Sequence, residues 1–307
     1  MHMLQLTLNT LSLGSAYALV ALGLVLVLNA TNAVNFAHGA LVMLGSYLAF
    51  AIAMVVPGKG IVVLPLVLLS AAAFGLVLAL IAYFPLRTKP VVAVFIATIS
   101  AGSIFENLVL LTFGPEPRST PPILGNSMLD LGGGVVIGEQ SIAVICAAFV
   151  LIGGQYALFA HTRFGRRMRA VAQDPDMAAA SGINVKLMIA FTFMLAAALA
   201  GAAGMFLSAT YYTSPTDGGN YMMKAYLAVT IGGWGSIPGT VIGAFLVALF
   251  EVLIPAIPAL IPGLDAYLPT ATLFSMTSST IALFITFLAV LLLRPQGLFG
   301  EAIKKRA

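Results

Sequence analysis

Long apolar segments make up most of this chain, and polar positions are confined to short stretches between them. A helix that spans a membrane needs roughly 20 predominantly apolar residues. Seven segments meet this requirement: 4–28, 36–56, 62–84, 91–113, 141–160, 187–211 and 271–293. A further apolar stretch, 222–258, is too long for one helix and is interrupted by glycines, which predicts a short segment, a turn and a second segment. The pattern therefore predicts an all-α polytopic membrane protein with about eight to nine transmembrane segments.

The composition supports this class. Of 307 residues, 61% are hydrophobic and 8% are charged, whereas a soluble protein carries about 25% charged residues. Such a chain cannot form a water-soluble surface, which excludes disordered and nucleic-acid-binding proteins as well as soluble domains. A net charge of +4 is too small to indicate a polyanionic partner. Cys146 is the single cysteine of the sequence, so it forms neither an internal disulfide nor a cysteine metal cluster.

The few charges predict the orientation, because cytoplasmic loops are enriched in lysine and arginine. Basic residues are concentrated in three places: Arg87 with Lys89, the arginines of 163–169, and the C-terminal group Arg294, Lys304, Lys305 and Arg306. The few charged residues of the segment 114–140 are instead mostly acidic. These positions predict that the N-terminus lies outside and the C-terminus inside, on the cytoplasmic side, provided that both parts of 222–258 cross the membrane.

Two segments, 29–39 and 232–239, put turn-forming residues next to apolar spans. Irregular backbone at membrane depth occurs where protein or a water-lined cavity satisfies it, and paired interruptions indicate a transport path. Asn35 or a neighbour could cap a helix that restarts there. Two alternatives remain open: a plain surface turn at 29–35, and close helix packing through small residues at 232–239 and at the Gly239/Gly243 pair.

The segment 161–186 is the most polar cytoplasmic segment and contains a short helix with both ends marked. Asp174 suits the N-cap, Pro175 the first helical position and Gly182 the position after the last turn. A helix of two turns is not stable alone in water, so it must dock on something. It could rest on this protein's own cytoplasmic face, and the arginines before it could serve topology or anionic lipid.

Neither a nucleotide site nor a catalytic constellation is present in the sequence. No GxxxxGK[ST] stretch occurs, so this chain cannot hold ATP in the P-loop manner. The ionisable residues assigned to membrane segments are few: Glu106, Glu251 and His38. They leave open a self-sufficient ion-coupled carrier or channel for a small solute, but a transport pore that lacks its own energy source fits better.

Six stretches together resemble the permease subunits of branched-chain amino acid ABC importers, specifically the LivH type. They are GSAYALVALG at 14–23, NFAHG at 35–39, RRMRAVAQD at 166–174, AAASGIN at 178–184, GGWGSIPG at 232–239 and RPQGLFG at 294–300. Each stretch is weak alone, but all six in this order are specific, and they extend over nearly the whole chain.

The resemblance implies one permease domain over 1–307, built with broken helices and internal inverted repeats, in the bacterial inner membrane. It implies a second, LivM-type permease, two cytoplasmic ATPase subunits that carry ATP and magnesium, and a periplasmic binding protein; no cofactor is expected in this chain itself. The substrate would be a branched-chain or other hydrophobic amino acid, with an amide, urea or an aromatic acid as alternatives.

The resemblance also implies two groups of site residues. The translocation path would be bordered by Asn35, Phe36, Ala37, His38, Gly39, Gly232, Gly233, Gly235, Ser236, Pro238 and Gly239. The ATPase would contact the helix at 175–181 and its surroundings, namely Arg166, Arg167, Arg169, Asp174, Pro175, Ala178, Ala179, Ser181 and Gly182.

Overall fold

The structure is a computed structural model that describes residues 2–56, 60–125, 127–130, 136–261, 264, 269–294 and 296–300. Most of them are helical. The helices are α1 His2–Thr31, α2 His38–Val55, α3 Gly60–Leu78, α4 Val91–Phe113, α5 Glu139–His161, α6 Arg163–Gln173, α7 Pro175–Ala180, α8 Val185–Thr210, α9 Gly218–Gly232, α10 Ile237–Leu260, α11 Thr270–Leu273 and α12 Met276–Leu293. A π-helical turn, Ala79–Tyr83, extends α3, and two short antiparallel strands, β1 Met128–Asp130 and β2 Val136–Gly138, precede α5.

Eight of the described helices are long and apolar enough to span a membrane: α1, α2, α3 with its π-turn, α4, α5, α8, α10 and α12. With the 15-residue α9, they confirm the predicted eight long segments and one short one. The largest differences from the predicted boundaries, of four and five residues, are in two helices. The short segment begins at Gly218 rather than at 222, and the last span begins at Met276 after the separate helix α11. The segment 161–186 also contains one helix more than predicted, the 11-residue α6.

The bundle has two ends, which differ in charge. One end, called the basic end below, carries the end of α1, the link with Arg87, helices α6 and α7, and Arg294. The opposite end carries the start of α1, the strands, and the end of α8, where Arg118 pairs with Thr213 through two backbone hydrogen bonds of 3.0 and 2.9 Å. The basic residues 304–306, which were predicted to be cytoplasmic, lie outside the described residues.

The helices form two inverted groups. Helix α1 ends at the basic end, whereas α8 ends at the opposite end, so α1–α2–α3 and α8–α9–α10 run in opposite directions. The contacts follow the same exchange, since α3 packs along α8 and α1 packs along α10, while α1 contacts α8 and α2 contacts α9. This is the arrangement of the inverted repeats that were predicted.

Glycines allow the central helices to approach closely. A Cβ at Gly204 of α8 would collide with the carbonyl oxygen of Val42 in α2, and one at Gly45 would collide with the backbone of Gly201. The Ser46 hydroxyl adds a hydrogen bond to the Gly204 carbonyl at 2.9 Å. Gly243 packs in the same way on the Ala228 carbonyl of α9. Small residues therefore allow the central helices to pack closely, and at Gly243 this is the packing that the sequence indicated.

We expect Gly204→Leu to destabilise the protein, because the added side chain has no space between α8 and α2 and overpacking costs about 1–3 kcal/mol or more. The matched control is Gly154→Leu in α5, where an added Cβ meets no atom within 4 Å. Thermal unfolding of the purified protein in detergent should show a lower Tm for Gly204→Leu alone. Equal Tm values for both variants would contradict the close α2–α8 contact.

Candidate functional site: two half-helices, a buried charge cluster and an exposed helix pair

Helix α2 begins inside the bundle instead of at its basic end. After Thr31 the chain turns at Asn32, whose φ is +53°, and returns along α1. The His38 imidazole Nε2 then lies 2.8 Å from the carbonyl oxygen of Val20. Val20 precedes the end of α1 by about 11 residues, or roughly 16 Å at 1.5 Å per residue. The segment 32–37 is therefore irregular backbone at membrane depth, as predicted.

The protein itself satisfies this irregular backbone. The Asn35 side-chain oxygen accepts a hydrogen bond from the Ala37 amide at 3.1 Å, and the Phe36 amide donates to the Thr98 hydroxyl at 3.2 Å. Ala37 occupies the N-cap position, so Asn35 supports the residue before the helix rather than capping it directly. Asn35, Ala37, His38 and Gly39 are buried, and Phe36 is half-buried against Phe95. His38 is thus held as a hydrogen-bonded interior residue.

The second interruption at membrane depth is 211–217, not 232–239. Helix α8 ends at Thr210, and the chain then descends to start α9 at Gly218, which contacts Ala40 in the first turn of α2. The Tyr47 hydroxyl holds this segment by donating to the Thr213 carbonyl at 3.1 Å, and the Asp217 carboxylate accepts from the Ser214 amide at 2.7 Å. The two half-helices α2 and α9 therefore begin next to each other.

The predicted break at 232–239 is a turn at the basic end. The Asn29 amide donates to the Gly235 carbonyl at 3.1 Å, which places this turn beside the end of α1. Gly232 and Gly239 pack backbone to backbone, and the Ser236 hydroxyl caps α10 by accepting from the Gly239 amide at 3.1 Å. Of the two interpretations of 232–239, the geometry favours close packing of small residues in a turn, because the chain re-enters before Gly218 and α9 is long enough to reach the basic end.

The C-terminal segment closes this turn. The amides of Leu298 and Phe299 donate to the carbonyls of Ile231 and Gly232, both at 2.9 Å. Gly297, with φ +80°, lies directly against Gly233. Two of the stretches that carry the family resemblance are therefore in contact, and together they satisfy the last carbonyl groups of α9.

Exposed polar side chains lie at the start of the half-helix α9 and on the neighbouring helix α4. Thr216 and Asn220 are exposed beside α9, and Ser103 and Asn107 are exposed on α4, where the partly exposed Glu106 lies against Gly218. Lipid tails cannot satisfy such groups, and ionisable residues within spans normally face a bundle interior or a water-filled cavity. This polar face therefore belongs to a protein contact or to a hydrated path.

A charge cluster in the membrane interior consists of Lys224, Glu251 and Tyr17, each of which contacts the other two. Lys224 Nζ lies 2.7 Å from Glu251 Oε1 and donates to the Tyr17 hydroxyl at 2.7 Å, and that hydroxyl donates to Glu251 Oε2 at 2.6 Å. Tyr17 is near the middle of α1. The Glu251 side chain is 8% exposed, whereas that of Lys224 is 28% exposed. Glu251 was predicted to be an intramembrane ionisable residue, but Lys224 was not, because its partner is on another helix.

A cavity of about 310 Å³ reaches Glu251 from the opposite end of the bundle. It lies between α1, α5, α8, α10 and α12. Its wall is mixed, with apolar side chains such as Leu13 and Phe206 and with the polar residues Asn9, Ser12, Ser141, Thr210 and Tyr211. A larger cavity of about 830 Å³ lies toward the basic end between α1, α5, α6 and α10. Pro238 and Arg169, predicted for the path and for coupling respectively, both border this second cavity.

Helices α6 and α7 are exposed at the basic end. The Asp174 carboxylate caps α7 by accepting from the amides of Asp176 and Met177, both at 3.0 Å, and Gly182 has φ +79°. These caps confirm the predicted helix. Arg166, Arg167 and Arg169 are exposed on α6, and Asp174, Pro175, Ala179, Ser181 and Gly182 are exposed on and around α7.

Ala178 differs from its neighbours because it is buried at 4% exposure. It fastens α7 to this protein's own surface, together with the buried Met168 and Val171 of α6. The face of α7 that remains open to a partner is therefore formed by Met177, which is 66% exposed, and by the alanines that follow Ala178.

Among the described residues, no group of three or more histidine, cysteine, aspartate or glutamate side chains could hold a metal ion. The Cys146 thiol is free and exposed.

The charge cluster predicts a specific stability pattern. Lys224→Met should destabilise the protein strongly, because removing one partner of a buried pair leaves an uncompensated charge and costs about 3–5 kcal/mol. The double variant Lys224→Met with Glu251→Gln should recover much of this loss, since the remaining groups are neutral. Thermal unfolding in detergent measures both variants. A double variant less stable than Lys224→Met would contradict the coupling.

This chain is similar to known transport permeases. The family model described as "Branched-chain amino acid transport system / permease component" matches residues 6–293. The high-affinity branched-chain amino acid transport system permease protein BraD of Pseudomonas aeruginosa is 32% identical over 312 residues, which covers 98% of this chain and 96% of that protein.

Two further relatives span a similar length. The permease protein LivH of Escherichia coli, from the high-affinity branched-chain amino acid transport system, is 30% identical over 315 residues and covers 98% of this chain and 96% of its own. A probable branched-chain amino acid transport permease LivH of Methanocaldococcus jannaschii is 31% identical over 298 residues, with 94% and 89% covered. No solved structure matches this chain. The chain is a multi-pass membrane protein that belongs to the family of branched-chain amino acid transport system permease components.

Proposed function

We propose that this protein is the permease subunit of an ATP-binding cassette importer that moves branched-chain amino acids across the bacterial inner membrane. The observation that carries the proposal is the exposed helix α7. Its six residues are too few for a helix that stands alone in water, yet it is capped at both ends and offers an open face. In a permease without a nucleotide motif of its own, such a helix suits docking to a separate ATPase.

The proposed orientation follows from the positions of the charges. The basic end, with Arg87, α6 and α7, faces the cytoplasm under the positive-inside rule. The N-terminus is then periplasmic and the C-terminus cytoplasmic. Two ATPase subunits carry ATP and magnesium on this side, and a periplasmic binding protein delivers the substrate at the opposite end.

A second permease subunit, of the LivM type, completes the path. The polar face formed by α4 and the start of α9 supports this step, because Ser103, Asn107 and Asn220 are exposed at membrane depth and need a protein or water environment. The residues 35–39 at the start of α2 contact α4 and the start of α9 on the interior side of that surface. The whole chain, 1–307, acts as one permease domain with its coupling segment at 161–186.

Reconstituted vesicles test the proposal directly. We expect leucine uptake that requires ATP, the second permease and both ATPase subunits. Uptake that persists when the ATPases are omitted would replace the proposal with a self-sufficient carrier, in which Glu106, Glu251 and His38 are the groups to neutralise. Retention of uptake in all three neutralised variants would then exclude the carrier as well.

Ala179→Arg should uncouple the complex, because a bulky charge on the exposed face of α7 obstructs docking while the membrane helices are untouched. We expect ATP-dependent leucine uptake to fall at least tenfold with little change in Tm. Thr88→Arg is the matched control, since Thr88 is exposed at the same end but outside α6 and α7. An Ala179→Arg complex that assembles and transports normally would exclude docking through α7.

A further inference from the structure

The cavity of about 310 Å³ that ends at Glu251 has the features of a binding site for one small amphiphilic solute. Its volume is at the lower end of the range of ligand pockets, roughly 300–1,000 Å³. Its wall combines apolar side chains such as Leu13 and Phe206 with the hydroxyl groups of Ser12 and Ser141 and the carboxylate of Glu251. Ligand sites are typically apolar cavities with a few convergent polar groups.

The Glu251 carboxylate is in contact both with the charge cluster and with the cavity. Its oxygens bind Lys224 Nζ at 2.7 Å and the Tyr17 hydroxyl at 2.6 Å, and the residue also borders the cavity. A charge pair whose only role is to hold helices together does not need a cavity beside it. Such a buried pair also adds little to the stability of the folded protein. The cavity gives a solute access to an anion that is already held in place.

Lys224, on α9, holds the Glu251 carboxylate and remains partly accessible. Its ammonium group is one hydrogen bond away from Glu251, and its side chain is 28% exposed rather than sealed. It also lies over the Tyr17 ring, with Nζ 5.0 Å from the ring centroid. Its positive charge therefore keeps a second favourable contact if the carboxylate turns to another cation.

We propose that this cavity binds the zwitterionic amino acid during transport, through exchange of partners within the Lys224–Glu251 pair. The substrate ammonium group takes the place of Lys224 at the Glu251 carboxylate, and the released Lys224 ammonium group pairs with the substrate carboxylate. The aliphatic side chain occupies the apolar wall. The total charge of the site is unchanged, so a zwitterion enters without leaving an unpaired ion in the membrane. This inference deepens the proposed function and rests on it.

A binding measurement that needs no ATP tests the cavity. In a Cys146→Ser background of the assembled complex, Ser141→Cys puts a thiol on the cavity wall, and Ile142→Cys puts one on the same helix outside it. We expect millimolar leucine to slow the reaction of a small thiol reagent at position 141 at least fivefold and at position 142 not at all. The analogue 4-methylpentanoate, which lacks the ammonium group, should not protect.

The same protection should disappear when Glu251→Gln is added to the Ser141→Cys protein. Equal protection by leucine and 4-methylpentanoate, or protection that survives Glu251→Gln, would overturn the proposal. Because this readout needs neither ATP nor transport, a failure here with normal ATP-dependent uptake overturns the cavity and leaves the proposed function standing.

Transport of charge variants separates binding from a structural role. Glu251→Gln should lower kcat/KM for leucine uptake at least tenfold, whereas Glu116→Gln, which removes an exposed carboxylate at the opposite end, should not change it. The charge-exchanged variant Glu251→Lys with Lys224→Glu keeps an ion pair and should restore Tm but not uptake, since an ammonium group then faces the substrate ammonium. Restored uptake in the exchanged variant would show that the pair is only structural and would overturn the proposal.

Discussion

The backbone of a half-helix that begins inside a membrane must find its hydrogen-bond partners within the protein, and much of this structure depends on that constraint. Helices α2 and α9 both begin at membrane depth, and their first turns lie against each other at Gly39, Ala40 and Gly218. Glycine is needed there because the backbones are in contact. The segments that lead into these helices are held by side chains of other helices, such as Thr98 and Tyr47.

This contact also explains why the polar groups lie where they do. Two helices that start side by side bring two positive dipole ends together, and the Glu106 carboxylate lies next to one of them at Gly218. The exposed polar residues follow the same region. The inverted repeat therefore positions more than the helices: it gathers irregular backbone, helix ends and most of the intramembrane charge into one layer.

Much of the fold could be predicted from the sequence because its signals are local. Apolar length was sufficient for the spans, and Asp174, Pro175 and Gly182 were sufficient for α7, since each cap acts within a few residues. The interruption at 211–217 could not be found in this way. Pro215, Asp217 and Gly218 are typical of any surface turn, and their depth follows from a contact with α2, far away in the chain.

The site was less predictable than the fold for the same reason. The pairing of Lys224 with Glu251 joins α9 to α10, and Tyr17 joins them from α1, so no spacing along the chain indicates the cluster. Helix α6 was missed because its arginines were interpreted only as charges for topology, anionic lipid or ATPase contact, although Met168 and Val171 give it a buried side. The positions 232–239 were identified correctly as a turn, but the sequence left open whether that turn lies inside the membrane or packs between helices at their ends.

The hydrogen bonds from Leu298 and Phe299 to the end of α9 have a consequence for the order in which the protein is made. Helix α2 is flanked by α1 and Thr98, which leave the ribosome early, whereas the last carbonyls of α9 accept from Leu298 and Phe299, which are made more than 60 residues later. During synthesis the second repeat stays incomplete until those residues emerge. The carbonyl groups of Ile231 and Gly232 therefore receive these partners only after α10 and α12 have been made.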